Sequence, residues 1–158
     1  LSWTAGRVDR LHHRVNSARA GLETQLMHRS GAALELAASG LLDPARSLLL
    51  LDAAHEARAS DQPDRELAES DLSQALVASL GDKAEIARLQ EDHEARDLLT
   101  ELGNACRKVE LARRFHNDVV SSALALRRNA VVRWFRLAGH AGMPSMVELD
   151  DSWPPALP

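Results

Sequence analysis

The sequence predicts an all-α protein, a long antiparallel helical bundle, and three observations carry that expectation. Its apolar content is lopsided, with 26 Leu and 26 Ala against one Ile, nine Val and no Tyr; Leu and Ala lose least on entering a helix. Its apolar residues recur at steps of three and four, the spacing of a helical stripe. Its Gly and Pro residues gather at a few points and divide the chain into three arms and an aperiodic end. A chain of 158 residues, 45% hydrophobic and 27% charged, has the size of one domain with a real core. The expected organisation is a single bundle domain over residues 1–139 and an extended tail over 140–158, with disorder from Asp150 onward.

The first arm spans residues 2–38, where Val8, Leu11, Val15, Ala18, Leu22, Leu26, Ala33 and Leu36 form the stripe. Gly40 suits its C-terminal end, and Asp43 followed by Pro44 is the signature of the next helix start, because proline needs no donor at the first helical position. A second arm runs over 44–80. "SDQPD" breaks it near Pro63, which forces the preceding residues out of helical geometry, and Asp61 or Gln62 is expected to cap the restart. Gly81-Asp82 closes this arm and opens the third, from Lys83 onward. There Leu102, Ala105, Val109, Ala112, His116, Val119, Ala123, Leu126 and Ala130 alternate steps of three and four without a break, close to the 3.5 period of helices packed side by side. Gly21 and Gly31, inside the first arm, are expected to mark close helix approach.

The first two arms each span about 55 Å at the usual rise, so three arms running up, down and up make the economical bundle. Charge supports that order: the net values are +3 for residues 7–29, −9 for 43–101 and +6 for 107–136. A full reversal at Pro63 would instead give four antiparallel elements and return the end of the last arm to the start of the first.

Side chains that look reactive are outnumbered by packing roles. The residues three before the seven histidines are Asp9, Arg10, Gln25, Asp52, Gln90, Arg113 and Leu137, so the Glu-x-x-His pairs of a bundle metal site are absent. His93 and Asp97 supply two ligands on one face, too few for a site. Cys106 rules out an internal disulfide and reads as a small buried hydrophobe. No nucleophile elbow or phosphate-binding glycine loop occurs. The run "VELARRFHNDVV" (109–120) places His116 in the seam with Arg113 and Asn117 beside it; a satisfied interface histidine is the first reading, a buried polar or metal-binding site around His116 the rival. No cofactor, no catalytic residue and no small-molecule substrate is expected.

"RRNAVVRWFRLAG" (127–139) is the candidate interaction surface. Arg127, Arg128, Arg133 and Arg136 alternate with Trp134, Phe135 and aliphatic residues, a basic amphipathic pattern suited to a protein partner or an anionic membrane. A helix end folded over the mouth of the bundle gives the same pattern. Net charge of −4 and only five aromatic residues argue against nucleic acid.

Two stretches, residues 7–37 and 89–120, resemble the LemA family. Ala18, Gln25, Leu26 and Arg29 stand where that family carries an Ala, a Leu or Val-Gln-Leu turn and an Arg before an apolar run. Leu89, Gln90, Ala112, Arg113, Asn117 and Val120 match its last arm. His116 stands in place of the family's Tyr, and Gly81-Asp82 replaces a longer Tyr-Pro loop, which marks a divergent subgroup. The resemblance implies a helical bundle behind an N-terminal membrane span and a non-enzymatic scaffold or interaction role in the bacterial cell envelope, with no catalytic residues. A start at Leu1-Ser2-Trp3 without Met is the expectation for a chain trimmed of such an anchor. Arg7, Arg10 and Arg14 just after it predict a domain on the cytoplasmic side.

Overall fold

The computed structural model describes residues 2–61, 63–133 and 143–158, and among these it is all-helical, with no strand. Helix α1 spans Ser2–Ala38, α2 Pro44–Ala59, α3 Arg65–Leu80, α4 Lys83–Leu89 and α5 His93–Arg133. None of these helices is long and apolar enough to cross a membrane. The chain divides into two compact units: Leu1–Glu23 with Leu111–Val147, and Thr24–Glu110 with Glu148–Pro158.

Local chemistry sets the helix ends. Gly40 sits just past α1 at φ 78°, a conformation that costs a residue without Cβ little. Asp43 caps α2, its carboxylate accepting from the amides of Ala45 and Arg46, with Pro44 at the first position. The break near Pro63 is real, with α2 ending at Ala59 and α3 beginning at Arg65. Its restart differs from expectation: Asp64, not Asp61, flanks α3, and it makes no side-chain cap. Gln62 lies outside the described residues. Asp82 caps α4 through the amides of Ala84 and Glu85.

The third arm is not continuous. It stops at Leu89 and restarts at His93, with Asp92 accepting from the Ala95 amide and the Arg96 guanidinium holding the Gln90 carbonyl. The polar run Gln90-Glu91-Asp92 contains no apolar side chain that burial could use to carry the helix through, whereas a carboxylate at the cap satisfies an amide of the next helix.

Within the second unit, α2 packs against α3 and α3 meets α4. Leu36, Leu50, Leu72, Leu76, Leu80, Ile86, Leu99 and Leu102 form one buried cluster with Cys106 and Leu157. Each such side chain is worth about 1.5–3 kcal/mol relative to exposure. Arg58 of α2 donates to the Met27 carbonyl and to Ser30 of α1, and Arg46 pairs with Glu85. Within the first unit the buried residues of α1 include Ala18 and Leu22, and those of α5 include His116, Val119, Val120 and Ala123. The expected seam of α5 is therefore buried from Leu102 to Ala123, with Ala112 and Leu126 half-buried. The side chain of Ala130 lies outside the described residues.

Two further expectations differ from the structure. Residues from Asp150 onward are packed, not disordered: Leu149, Pro154 and Leu157 are buried although the segment has no helix. Gly21 marks no close approach, since a Cβ built there meets nothing within 4 Å. Gly21→Ala is accordingly expected to stabilise the protein by about 1 kcal/mol through helix propensity alone, measured as a raised urea midpoint with unchanged slope.

Candidate functional site

The run 109–120 places His116 and Asn117 against partners within the chain. His116 is buried in the α5 seam, and its Nδ1 lies 3.3 Å from Asn117 Oδ1. Asn117 also pairs with the backbone of Val147 in both directions, its Nδ2 donating to the carbonyl at 3.1 Å and its Oδ1 accepting from the amide at 2.9 Å. That is the geometry of a side-chain amide standing in for a neighbouring strand. Arg113 is half-buried and engaged in a contact of its own. No group of three or more His, Cys, Asp or Glu side chains able to hold a metal ion occurs among the described residues. His93 and Asp97 form an exposed pair at 3.3 Å.

The deepest polar cluster is elsewhere, in the second unit. Arg29 of α1 is fully buried and its guanidinium meets Glu69 and Ser73 of α3: Nη2 donates to Glu69 Oε2 at 2.8 Å and to the Glu69 carbonyl at 2.9 Å, and Nη1 to Ser73 Oγ at 2.8 Å. Ser73 then donates to the Asp150 carbonyl at 2.6 Å. Arg65 stands one turn before Glu69, its Nε 3.6 Å from Oε1. The arrangement neutralises charge inside a low-dielectric interior through both terminal nitrogens of Arg29, while its buried Nε makes no hydrogen bond. Sequence reasoning named Arg29 only through the family pattern and missed Glu69 and Ser73. A signal was present: position 29 completes the steps Leu22, Leu26, Ala33, Leu36, and position 69 precedes Leu72, Leu76 and Leu80 at the same spacing. A charge in an apolar stripe requires a buried partner of opposite sign.

Cys106 lies near this cluster, almost fully buried. Burial pushes its thiol up from 9.0 to about 11, with Arg29 and Arg107 pulling weakly the other way. A thiol that keeps its proton in the fold favours the native state fully below pH 9 and loses that contribution as pH rises to about 11, because the unfolded thiol ionises first. The expected loss between those values is about 2–3 kcal/mol relative to a Cys106→Ala reference, read from urea midpoints across the range. The same burial makes Cys106 slow toward disulfide reagents in the native state.

The structure brings together only some of the residues expected to function. Of the family-pattern residues, Leu26, Arg29 and His116 are buried, and Gln25, Arg113 and Asn117 are half-buried. Of the candidate interaction surface, Arg128 is exposed on α5. The side chains of Arg127 and Arg133, and all of Trp134, Phe135 and Arg136, lie outside the described residues. No known protein-family profile, no curated protein and no solved structure matches this chain.

Proposed function

We propose that the chain is a non-enzymatic helical scaffold of the bacterial cell envelope, LemA-like in kind, tethered to the membrane by a segment upstream and facing the cytoplasm. One observation carries this reading: the side chains that looked reactive are committed to holding helices and segments together. Arg29 is spent on Glu69 and Ser73, and Asn117 on Val147. Family-pattern positions that do such work support a fingerprint of fold more than of chemistry.

The packing of α2 on α3 supports a reversal at Pro63 and hence four antiparallel elements in place of three. Grouping of the first half of α1 with the second half of α5 in one unit supports it too. That parity favours a second reading, contact with anionic lipid through residues 127–139. The unit that contains them carries ten Arg against three acidic residues, while the other carries nine basic against twenty acidic. Such separation directs the basic unit toward anionic surfaces, where each Arg near the bilayer contributes about 1 kcal/mol.

Two measurements test the pair of readings. Elemental analysis of the purified chain is expected to give no stoichiometric iron, manganese or zinc; a bound metal would replace the scaffold with the buried-site rival. Flotation with vesicles containing phosphatidylserine is expected to recover the chain and to lose it in Arg133→Glu with Arg136→Glu. Equal recovery of both removes the lipid reading and leaves protein partners.

A further inference from the structure

The segment 148–158 is non-helical, with one turn closed by the Leu157 amide donating to the Pro154 carbonyl at 3.2 Å, and it is held to the second unit by main-chain contacts of the kind a bound peptide makes. Four of them engage its main chain. Glu66 Oε2 accepts from the Glu148 amide at 3.0 Å, Ser70 Oγ accepts from the Asp150 amide at 3.0 Å, Ser73 Oγ donates to the Asp150 carbonyl at 2.6 Å, and Arg107 Nη2 donates to the Pro158 carbonyl at 3.0 Å. Glu66, Ser70 and Ser73 follow one another at steps of four and three, so they form a single row along α3. Apolar side chains add burial to these hydrogen bonds. Leu149, Pro154 and Leu157 are buried, and the Trp153 ring lies 5.5 Å from the Arg107 guanidinium. On α5, Gly103 leaves room for the Pro158 carbonyl that a Cβ would strike.

The Asp150 carboxyl is held below its ordinary range by hydrogen bonds from Ser152 and by the Arg29 guanidinium, so local charge does not oppose the contact. The segment has no helical ladder of its own, and its hydrogen bonds with Glu66, Ser70 and Arg107 lie at the solvent-exposed surface, so it belongs to the part of the structure that opens before the helices do.

We propose that the face formed by α3 and α5 is an extended-peptide site, filled in cis by residues 148–158, and that the same segment of a second copy of the chain occupies it once the cis segment is released. This occupant is the one whose fit is demonstrated, and every copy carries both halves, so reciprocal exchange closes into a symmetric pair. The inference is independent of the membrane reading. A tethered segment competes at an effective concentration on the order of mM, so exchange between copies becomes favourable only at comparable chain concentration or when the cis contact is weakened.

The probe is a labelled peptide, VELDDSWPPALP, of residues 147–158. It is titrated by fluorescence anisotropy into the full chain and into the full chain carrying Trp153→Ala with Leu157→Ala. The altered chain is expected to bind the peptide about tenfold more tightly or better, because its own segment competes poorly. A peptide with the same two alanines should not compete. Equal binding to both chains, or binding to neither, overturns the proposal, as does loss of helix content in the altered chain, which would make the segment part of the obligatory core.

Two measurements use the unaltered chain. The Glu148 and Asp150 amides are expected to exchange hydrogen at least about a hundredfold faster than those of Leu72 and Leu76, as local release requires; equal protection refutes release. Sedimentation toward mM concentration should show dimers that the doubly substituted chain does not form. A wild-type chain monomeric throughout refutes occupancy by a second copy.

Discussion

Arg29→Met is expected to destabilise the protein by about 3–5 kcal/mol, among the largest effects of any single substitution, while Arg29→Met combined with Glu69→Leu recovers most of that loss. The asymmetry follows from what each change leaves behind. Arg29 is completely buried, and its guanidinium is the group that meets the Glu69 carboxylate at 2.8 Å and the Ser73 hydroxyl at 2.8 Å. Removing it strands a carboxylate without water, and Arg65, at 3.6 Å from the other carboxylate oxygen, recovers only part of the interaction. Removing both charges eliminates the desolvation penalty together with the attraction, and leaves two apolar side chains of similar size between α1 and α3. Urea unfolding of the wild type, both single variants and the double variant closes the cycle. A single variant within about 1 kcal/mol of wild type would show that the pair contributes little and that its burial has another cause.

The cluster illustrates what a sequence carries and what it withholds. Helix ends were legible because they are local: Asp43-Pro44, Gly40 and Gly81-Asp82 contain within a few residues the donors, acceptors and backbone freedom that end or begin a helix. The α5 seam was legible because burial repeats at helical spacing, and His116 is buried in that seam. The pairing of position 29 with position 69 is not local. Each charge could be seen to interrupt an apolar stripe, but which stripe faces which depends on how α1 and α3 are brought together. The break at 90–92 was hidden for a different reason: it contains neither Gly nor Pro, and the periodic seam that defined the third arm begins only at Leu102, so nothing local marked where a helix over 83–89 ends.

The C-terminal segment shows the same limit. Gly and Pro punctuation and absent periodicity correctly excluded a helix over 143–158. They did not distinguish an unattached segment from one docked in extended form, because an extended segment draws its hydrogen bonds from partners elsewhere in the chain. Glu66, Ser70 and Ser73 provide those partners at separations of about eighty residues.

Gly103→Ala should reveal that docking through a reversal of sign. Alanine is better than glycine in a helix interior by about 1 kcal/mol, so on propensity alone the substitution stabilises α5. In the intact chain the new Cβ strikes the Pro158 carbonyl, and Leu157 Cβ stands 3.5 Å away. Backbone cannot yield as the end of a flexible side chain does, so the segment must shift. The shift sacrifices part of the Leu157 burial, about 1.5–3 kcal/mol when complete, and the hydrogen bond from Arg107, about 0.5–1.5 kcal/mol. These losses exceed the gain, and a net destabilisation of about 1–3 kcal/mol is expected. In a chain ending at Pro154 the obstacle is gone, and the same substitution should raise stability by about 1 kcal/mol. Urea denaturation of the four chains measures the coupling between Gly103 and residues 155–158 directly. Destabilisation of equal size in both backgrounds would place the cost of the Cβ within α5 itself and deny that Gly103 exists to admit the segment.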